Sequence, residues 1–275
     1  MTFDTKLDCT IQKHHESGPR SATGARLTPT PDMYGPLEQA YDAFNERLFD
    51  GKLPGCLLTL QRERRNSYGY YSPKRWVSRD GKFADEIALN PNHFAVVPML
   101  EALQTLAHEM CHAYQHIHGK PGRRGYHNKE FAAIMHRIGL QTSATGKPGG
   151  KTTGESMSDY PIPGGRFLQI VDELLAQGFT LAWMDRFPPA AIVLQAAAHA
   201  DAPVDLGANA SEQLAAASQA LTVEALAALS VRAGDAPLSA PTRTKYTCAC
   251  GDNIWGKKGI LATCGVCNED FLAQT

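Results

Sequence analysis

"LAHEMCHAYQHIHGKPGRRGYHNKEF", residues 106–131, holds five of the chain's ten histidines: His108, His112, His116, His118 and His127. A metal ion takes only three or four protein ligands. Which of the five converge decides how this stretch folds and what must surround it. On a helical wheel at about 100° per residue, Leu103, Leu106, Ala107, Met110, Cys111, Tyr114 and Ile117 fill one arc, which reads as core-facing. His108, Glu109 and His112 fall outside it, with Glu101, Thr105 and His116. Two histidines one turn apart on one side form a clamp for zinc. Glu109 is offset enough to reach a water on the metal rather than the metal itself. "HEMCH" is therefore a complete HExxH, with a physical role for each fixed letter.

His116 does not fit as a third ligand. It lies about 12 Å along a continuous helix from His108 at 1.5 Å per residue, against a zinc–nitrogen bond of about 2.1 Å. His118 has metzincin spacing, but Gln115 stands where that pattern has the glycine that turns the chain back. On a continuous helix His118 points into the apolar arc. The first helix breakers are Gly119 and Pro121. That leaves His127, at the start of the next helix and free to return across the loop.

Working outward, the pattern is α+β. "LEQAYDAFNERLF" (37–49) has helical spacing and stops at Gly51. Residues 56–62, 68–72 and 85–90 read as short strands bounded by Gly, Pro or Asn. A helix from about Met99 and another from about Asn128 to Ile138 flank the Gly/Pro loop. Residues 141–165 read as an extended loop, and 167–187 offer one more helix and a candidate strand. The expected division is a flexible tail at 1–30, a main domain at 31–189, an alanine-rich linker at 190–241 and a cysteine module at 242–275. Within the linker, Leu214, Leu221, Leu226 and Leu229 suit either a weak helix or a loose tether.

The 275 residues are 43% hydrophobic and 20% charged, with a net charge of −1. That is ordinary for a chain with a real core, and it leaves no global field for nucleic acid or membranes. No secretory leader or eighteen-residue apolar run is visible. Cys9, Cys56 and Cys111 are scattered, whereas Cys248, Cys250, Cys264 and Cys267 crowd the end. This distribution suits a metal site in a reducing compartment, and a cytoplasmic protein, better than a disulfide framework. The two close pairs read as a structural zinc ribbon, although the first has one intervening residue where two are usual. "TGKPGGKTTG" (145–154) has only three residues between Gly146 and "GK", where a phosphate-binding loop needs four, so no nucleotide cofactor is expected.

Cations interleave with aromatics in "QRERRNSYGYYSPKRW" (61–76). Arg62, Arg64, Arg65, Lys74, Arg75 and Trp76 there, Arg123 and Arg124 beside the histidines, and Trp255, Lys257 and Lys258 in the tail are candidate nucleic-acid contacts. The bland alternative is a set of solvated cationic faces.

"TLAHEMCHAYQ", the Gly/Pro/Arg loop and "GYHNKEFAAIMHRIGL" resemble the SprT-like (Spartan-type) zinc metalloprotease family. "AYDAFNERLFDGKLP", "EIALNP" and the four-cysteine tail resemble it too. The resemblance implies a zincin-like metalloprotease domain with a zinc-ribbon-like segment. It also implies one catalytic zinc on His108, His112 and His127, and Glu109 as the catalytic carboxylate. The expected partners are protein substrates and, since one branch of the family acts on DNA-attached proteins, single-stranded or damaged DNA. "DEIALN" (85–90) is expected to hold an extended substrate by edge addition, and Tyr126 and Tyr160 are candidates to stabilise the oxyanion. The competing reading is a nucleic-acid-associated zinc protein whose HExxH is not catalytic.

Overall fold

The computed structural model describes residues 28–62, 67–199, 204–231 and 244–274. Arg64, Arg65 and nearly all of the expected N-terminal tail lie outside the described residues. The described chain is α+β, built of helices around small sheets. Its first helix, α1 (Pro29–Leu48), starts well before the stretch expected from the sequence and carries Pro36 inside it. The extra turns are stabilised by burial of Met33, which continues the stripe Leu37, Ala40, Tyr41, Phe44 and Leu48.

Three strands follow: β1 (Leu57–Leu60), β2 (Gly69–Val77) and β3 (Phe83–Leu89). They form one sheet in the order β1-β3-β2, with β1 parallel and β2 antiparallel to β3. This corrects the expectation for residues 85–90. β3 is paired on both sides and offers no free edge there, because Leu57–Leu60 align with Glu86–Leu89 while Gly69–Ser72 cover the other side. β2 is the edge strand next to the helix that follows. Gly69 makes this approach possible, since a Cβ on it would lie 2.7 Å from the Ala88 carbonyl oxygen and 3.0 Å from Thr105 Cγ2.

The central helix α2 (Met99–His118) buries Leu100, Leu103, Leu106, Ala107, Met110 and Cys111. The arc expected from the sequence is thus the core face except in its last turn, where Ile117 is 41% exposed. α3 (Lys129–Ile138) is capped by Asn128, whose side chain accepts from the Phe131 amide. It ends at Gly139 with φ 97°, where a Cβ would stand 2.9 Å from the Arg166 and Phe167 amide nitrogens. The segment expected to be a loop instead holds a two-stranded ribbon, β4 (Leu140–Ser143) with β5 (Ser158–Pro161). α4 (Arg166–Ala176) packs back on α1, where the Phe44 and Phe167 rings meet at 5.6 Å with both side chains fully buried.

The alanine-rich stretch contains α5 (Ala190–His199), α6 (Glu212–Ala217) and α7 (Val223–Ala228). Leu214 of α6 is buried in the main core and Ile192 of α5 against Ala95, Val96 and Val97. The cysteine module is a three-stranded sheet of β6 (Thr244–Thr247), β7 (Asn253–Gly256) and β8 (Leu272–Ala273), in the order β7-β6-β8. No described helix is long and apolar enough to cross a membrane.

The α1–α4 contact sets a stability test. Phe167→Ala should cost about 3–5 kcal/mol, as expected for emptying a fully buried aromatic site, measured by denaturant unfolding. A cost below about 1 kcal/mol would mean that α4 is not part of the cooperative core.

Candidate metal centre

α2 holds His108 and His112 one turn apart, and His127, just before the cap of α3, returns across the loop. The Nε2 atoms of His108 and His112 each lie 3.2 Å from His127 Nε2. All three ligand atoms fall within 4.8 Å of one another. Nitrogens around a tetrahedral zinc stand about 3.3 Å apart for bonds of about 2.05 Å, so the spacing fits.

Protonation makes the fit more demanding. His108 Nδ1 lies 2.8 Å from Asp159 Oδ2, and His127 Nδ1 lies 3.3 Å from the Gly154 carbonyl oxygen. A carboxylate and a carbonyl can only accept, so each neutral ring carries its proton on Nδ1. With both rings neutral the Nε2 lone pairs of His108 and His127 face each other at 3.2 Å, where either a proton on His108 or a metal ion would bridge them.

The loop that returns His127 is fastened at both ends. Buried Gln115 donates to Asn128 Oδ1 at 2.8 Å and to Glu130 Oε2 at 2.7 Å. The Lys120 amide donates to the same Glu130 oxygen, and Asn128 Nδ2 donates to the Lys120 carbonyl. His127 and Gly154 exchange both backbone hydrogen bonds, at 2.8 and 3.1 Å. Phe131, fully buried, backs all three rings and stacks on His112 at 4.3 Å.

Burial sets the electrostatics. Desolvation pushes the Glu109 carboxyl up to about 7, with the charge on Asp159 adding and that on His108 opposing. Glu101, two turns earlier, is likewise raised to about 7 by burial and then by Asp159. Burial depresses His112 to about 2 and His127 to about 4, with the charge on His108 adding to both. Both therefore stay neutral, as ligands must. For His108 burial also works against the charged form, but the hydrogen bond and charge of Asp159 outweigh it and the ring ends above the usual histidine value.

The remaining histidines lie elsewhere. His116 is on the exposed side near the Tyr71 ring, and His118 sits 3.2 Å from the Lys52 carbonyl oxygen. His118 is exposed rather than turned into the apolar arc, because the last turn of α2 runs beyond the core. Tyr160 neighbours Asp159 on β5 and so points to the opposite face of that ribbon from His108. Tyr126 lies under the Arg123 guanidinium.

The sulfurs of Cys248, Cys250, Cys264 and Cys267 form a second group within 4.8 Å. Cys248 and Cys250 are 3.1 Å apart and Cys250 and Cys264 3.6 Å. All four are free thiols. Backbone hydrogen bonds, first from Glu269, hold the Cys267 thiol down at about 7, which favours the ligand form. The cationic candidates fall on separate elements. Arg62 pairs with Asp185 and Arg123 with Glu155. Lys74, Arg75 and Trp76 are exposed on β2, Arg124 on the loop, and Trp255, Lys257 and Lys258 on and after β7.

Comparison with known proteins follows the same lines. The sequence model of the SprT-like family matches residues 37–149. An uncharacterised Salmonella typhimurium protein from the mucB 3′ region is 58% identical over 60 residues, 22% of this chain and 80% of that protein. The Bos taurus DNA-dependent metalloprotease SPRTN is 31% identical over 118 residues, 43% of this chain and only 22% of that protein. No solved structure matches the chain.

The Glu109 shift fixes a pH test on metal-free protein. Its folded value is raised, so the stabilisation it gives is complete below about pH 4.5 and is lost as pH rises through about 7. Glu109→Gln should remove that loss and leave the metal-free variant more stable than wild type above pH 7, by on the order of 2–3 kcal/mol. Identical stability–pH curves in chemical denaturation would show that Glu109 is not desolvated.

Proposed function

Because the chain belongs to the SprT-like family, we propose that it is a zinc-dependent metallopeptidase that cuts peptide bonds in proteins, including DNA-associated ones. The observation that carries this reading is the convergence of the His108, His112 and His127 nitrogens beside a buried Glu109. These three histidines would hold the zinc and leave a fourth position open, as a catalytic site needs. When bound, zinc supplies Lewis acidity for the scissile carbonyl and acidifies a water. Glu109 takes the proton of the attacking water and hands it to the departing amine. Burial raises the Glu109 carboxyl in the metal-free protein, and a bound dication would lower it again toward the ionised form that a base needs. Both β1 and β2 are edge strands, and β2, which lies on α2 at Gly69, is the one beside the histidines where an extended substrate backbone would add.

The four cysteines would hold a second, structural zinc. Trp255, Lys257 and Lys258 beside them would contact single-stranded DNA, with Lys74, Arg75, Trp76 and Arg124 as further cations and stacking surface. Arg62 and Arg123 already have acidic partners, which reduces their availability for phosphate. The bovine relative is described as DNA-dependent, and the same dependence is proposed here. The compartment remains the cytoplasm in this reading.

Glu109→Gln should keep its zinc and lose nearly all cleavage of an unfolded protein substrate. Full activity in that variant would overturn the mechanism and favour a zinc protein whose HExxH is not catalytic. His127→Ala should lose the zinc and His118→Ala should keep it, read by metal analysis with the cysteine-bound ion counted separately. The opposite pattern would replace the ligand set. Replacing Trp255, Lys257 and Lys258 together by alanine should weaken single-stranded DNA binding and make its log–log salt slope shallower by about 1.4, two phosphate contacts at about 0.7 each. An unchanged slope would move the DNA contacts to β2.

A further inference from the structure

Asp159 stands 51 positions from His108 and outside residues 37–149, the part of the chain that the family match covers. Its side chain is only 8% exposed, and its second oxygen, Oδ1, is buried with no hydrogen-bond partner. A half-satisfied buried carboxylate is costly. The strand does not need that side chain for its own placement. β5 is paired to β4 through its backbone, and the Asp159 carbonyl accepts from Gln104 Nε2 at 2.9 Å. What the side chain does contact is His108 Nδ1.

We infer that Asp159 is a positioning residue of the metal centre, which fixes the proton of His108 on Nδ1 and turns its bare Nε2 toward the other two rings. The Gly154 carbonyl does the same for His127, so residues 154–159 orient two of the three ligands from beyond the matched region. The metal-binding half of this inference rests on the zinc reading above; the tautomer half does not. Burial of the carboxylate is also accounted for, because a cation at the three nitrogens would compensate its charge through the His108 ring.

The test uses full-length, isotope-labelled protein freed of metal, at a pH that keeps the rings neutral. Nitrogen NMR should show His108 protonated at Nδ1 in wild type and shifted toward Nε2–H in Asp159→Ala. Chelator competition with zinc should show the same variant about 10–100-fold weaker at the histidine site, with Cys264→Ser in both backgrounds to remove the cysteine site. Metal-free Asp159→Ala should still unfold cooperatively; if it does not, Asp159→Asn, which keeps an acceptor oxygen, carries the comparison with a smaller loss and the Nδ1–H form retained. An unchanged tautomer in Asp159→Ala would overturn the inference, and so, where Asp159→Asn has to carry the comparison, would undiminished zinc affinity in that variant. If wild type binds no zinc at the histidines, the zinc reading fails, while the tautomer shift still decides what Asp159 does.

Discussion

The Nε2 atoms of His108 and His127 stand 3.2 Å apart, and the scaffold around them has to hold two ring nitrogens that close together. α2 brings two rings to one side through its 3.6-residue period, at no cost beyond burying its other face. The third ring is the difficult one. It needs the Gln115–Asn128–Glu130 links, the paired backbone of His127 and Gly154, and Phe131 beneath. The loop, the β4–β5 ribbon and the start of α3 are all arranged around that return.

Much of this was readable from residue order. HExxH in phase with an apolar arc placed two histidines and Glu109 on one side of α2, and the first helix breakers after it left His127 as the partner. The short strands were readable as well, but not their neighbours: nothing in "DEIALN" says whether its edges are free, and β3 proves to be central. The outer acceptors were out of reach. Asp159 sits in a Gly/Ser/Thr-rich stretch with no periodicity, and only the pairing of β4 with β5 brings it to His108. The start of α1 was missed because proline suppresses a helical reading, whereas the burial of Met33 carries the helix through Pro36.

The cationic residues show the limit of composition in another way. A count of arginines in residues 61–76 suggests one basic stripe. In three dimensions Arg62 has Asp185 and Arg123 has Glu155, so the unpaired charge shifts toward Lys74, Arg75 and the end of the chain. Charge available to a phosphate is decided by neighbours that can lie more than a hundred residues away.

The cysteine module has a different relation to its ligands. Its buried side chains include Tyr246, Cys248 and Cys264, while Trp255, Leu261, Val266 and Leu272 face outward. So small a unit cannot gather enough apolar burial to hold a sheet by itself. An ion joined to the four sulfurs would supply the missing stabilisation, so that losing it and losing the fold would be one event. The histidines instead stand on the main core, which buries Phe44, Leu106 and Phe167, so an ion there would enter a cradle that packing already holds. Ion binding would then be coupled to folding at the cysteines and not at the histidines, and a chelator would melt one end of the chain while merely emptying the other.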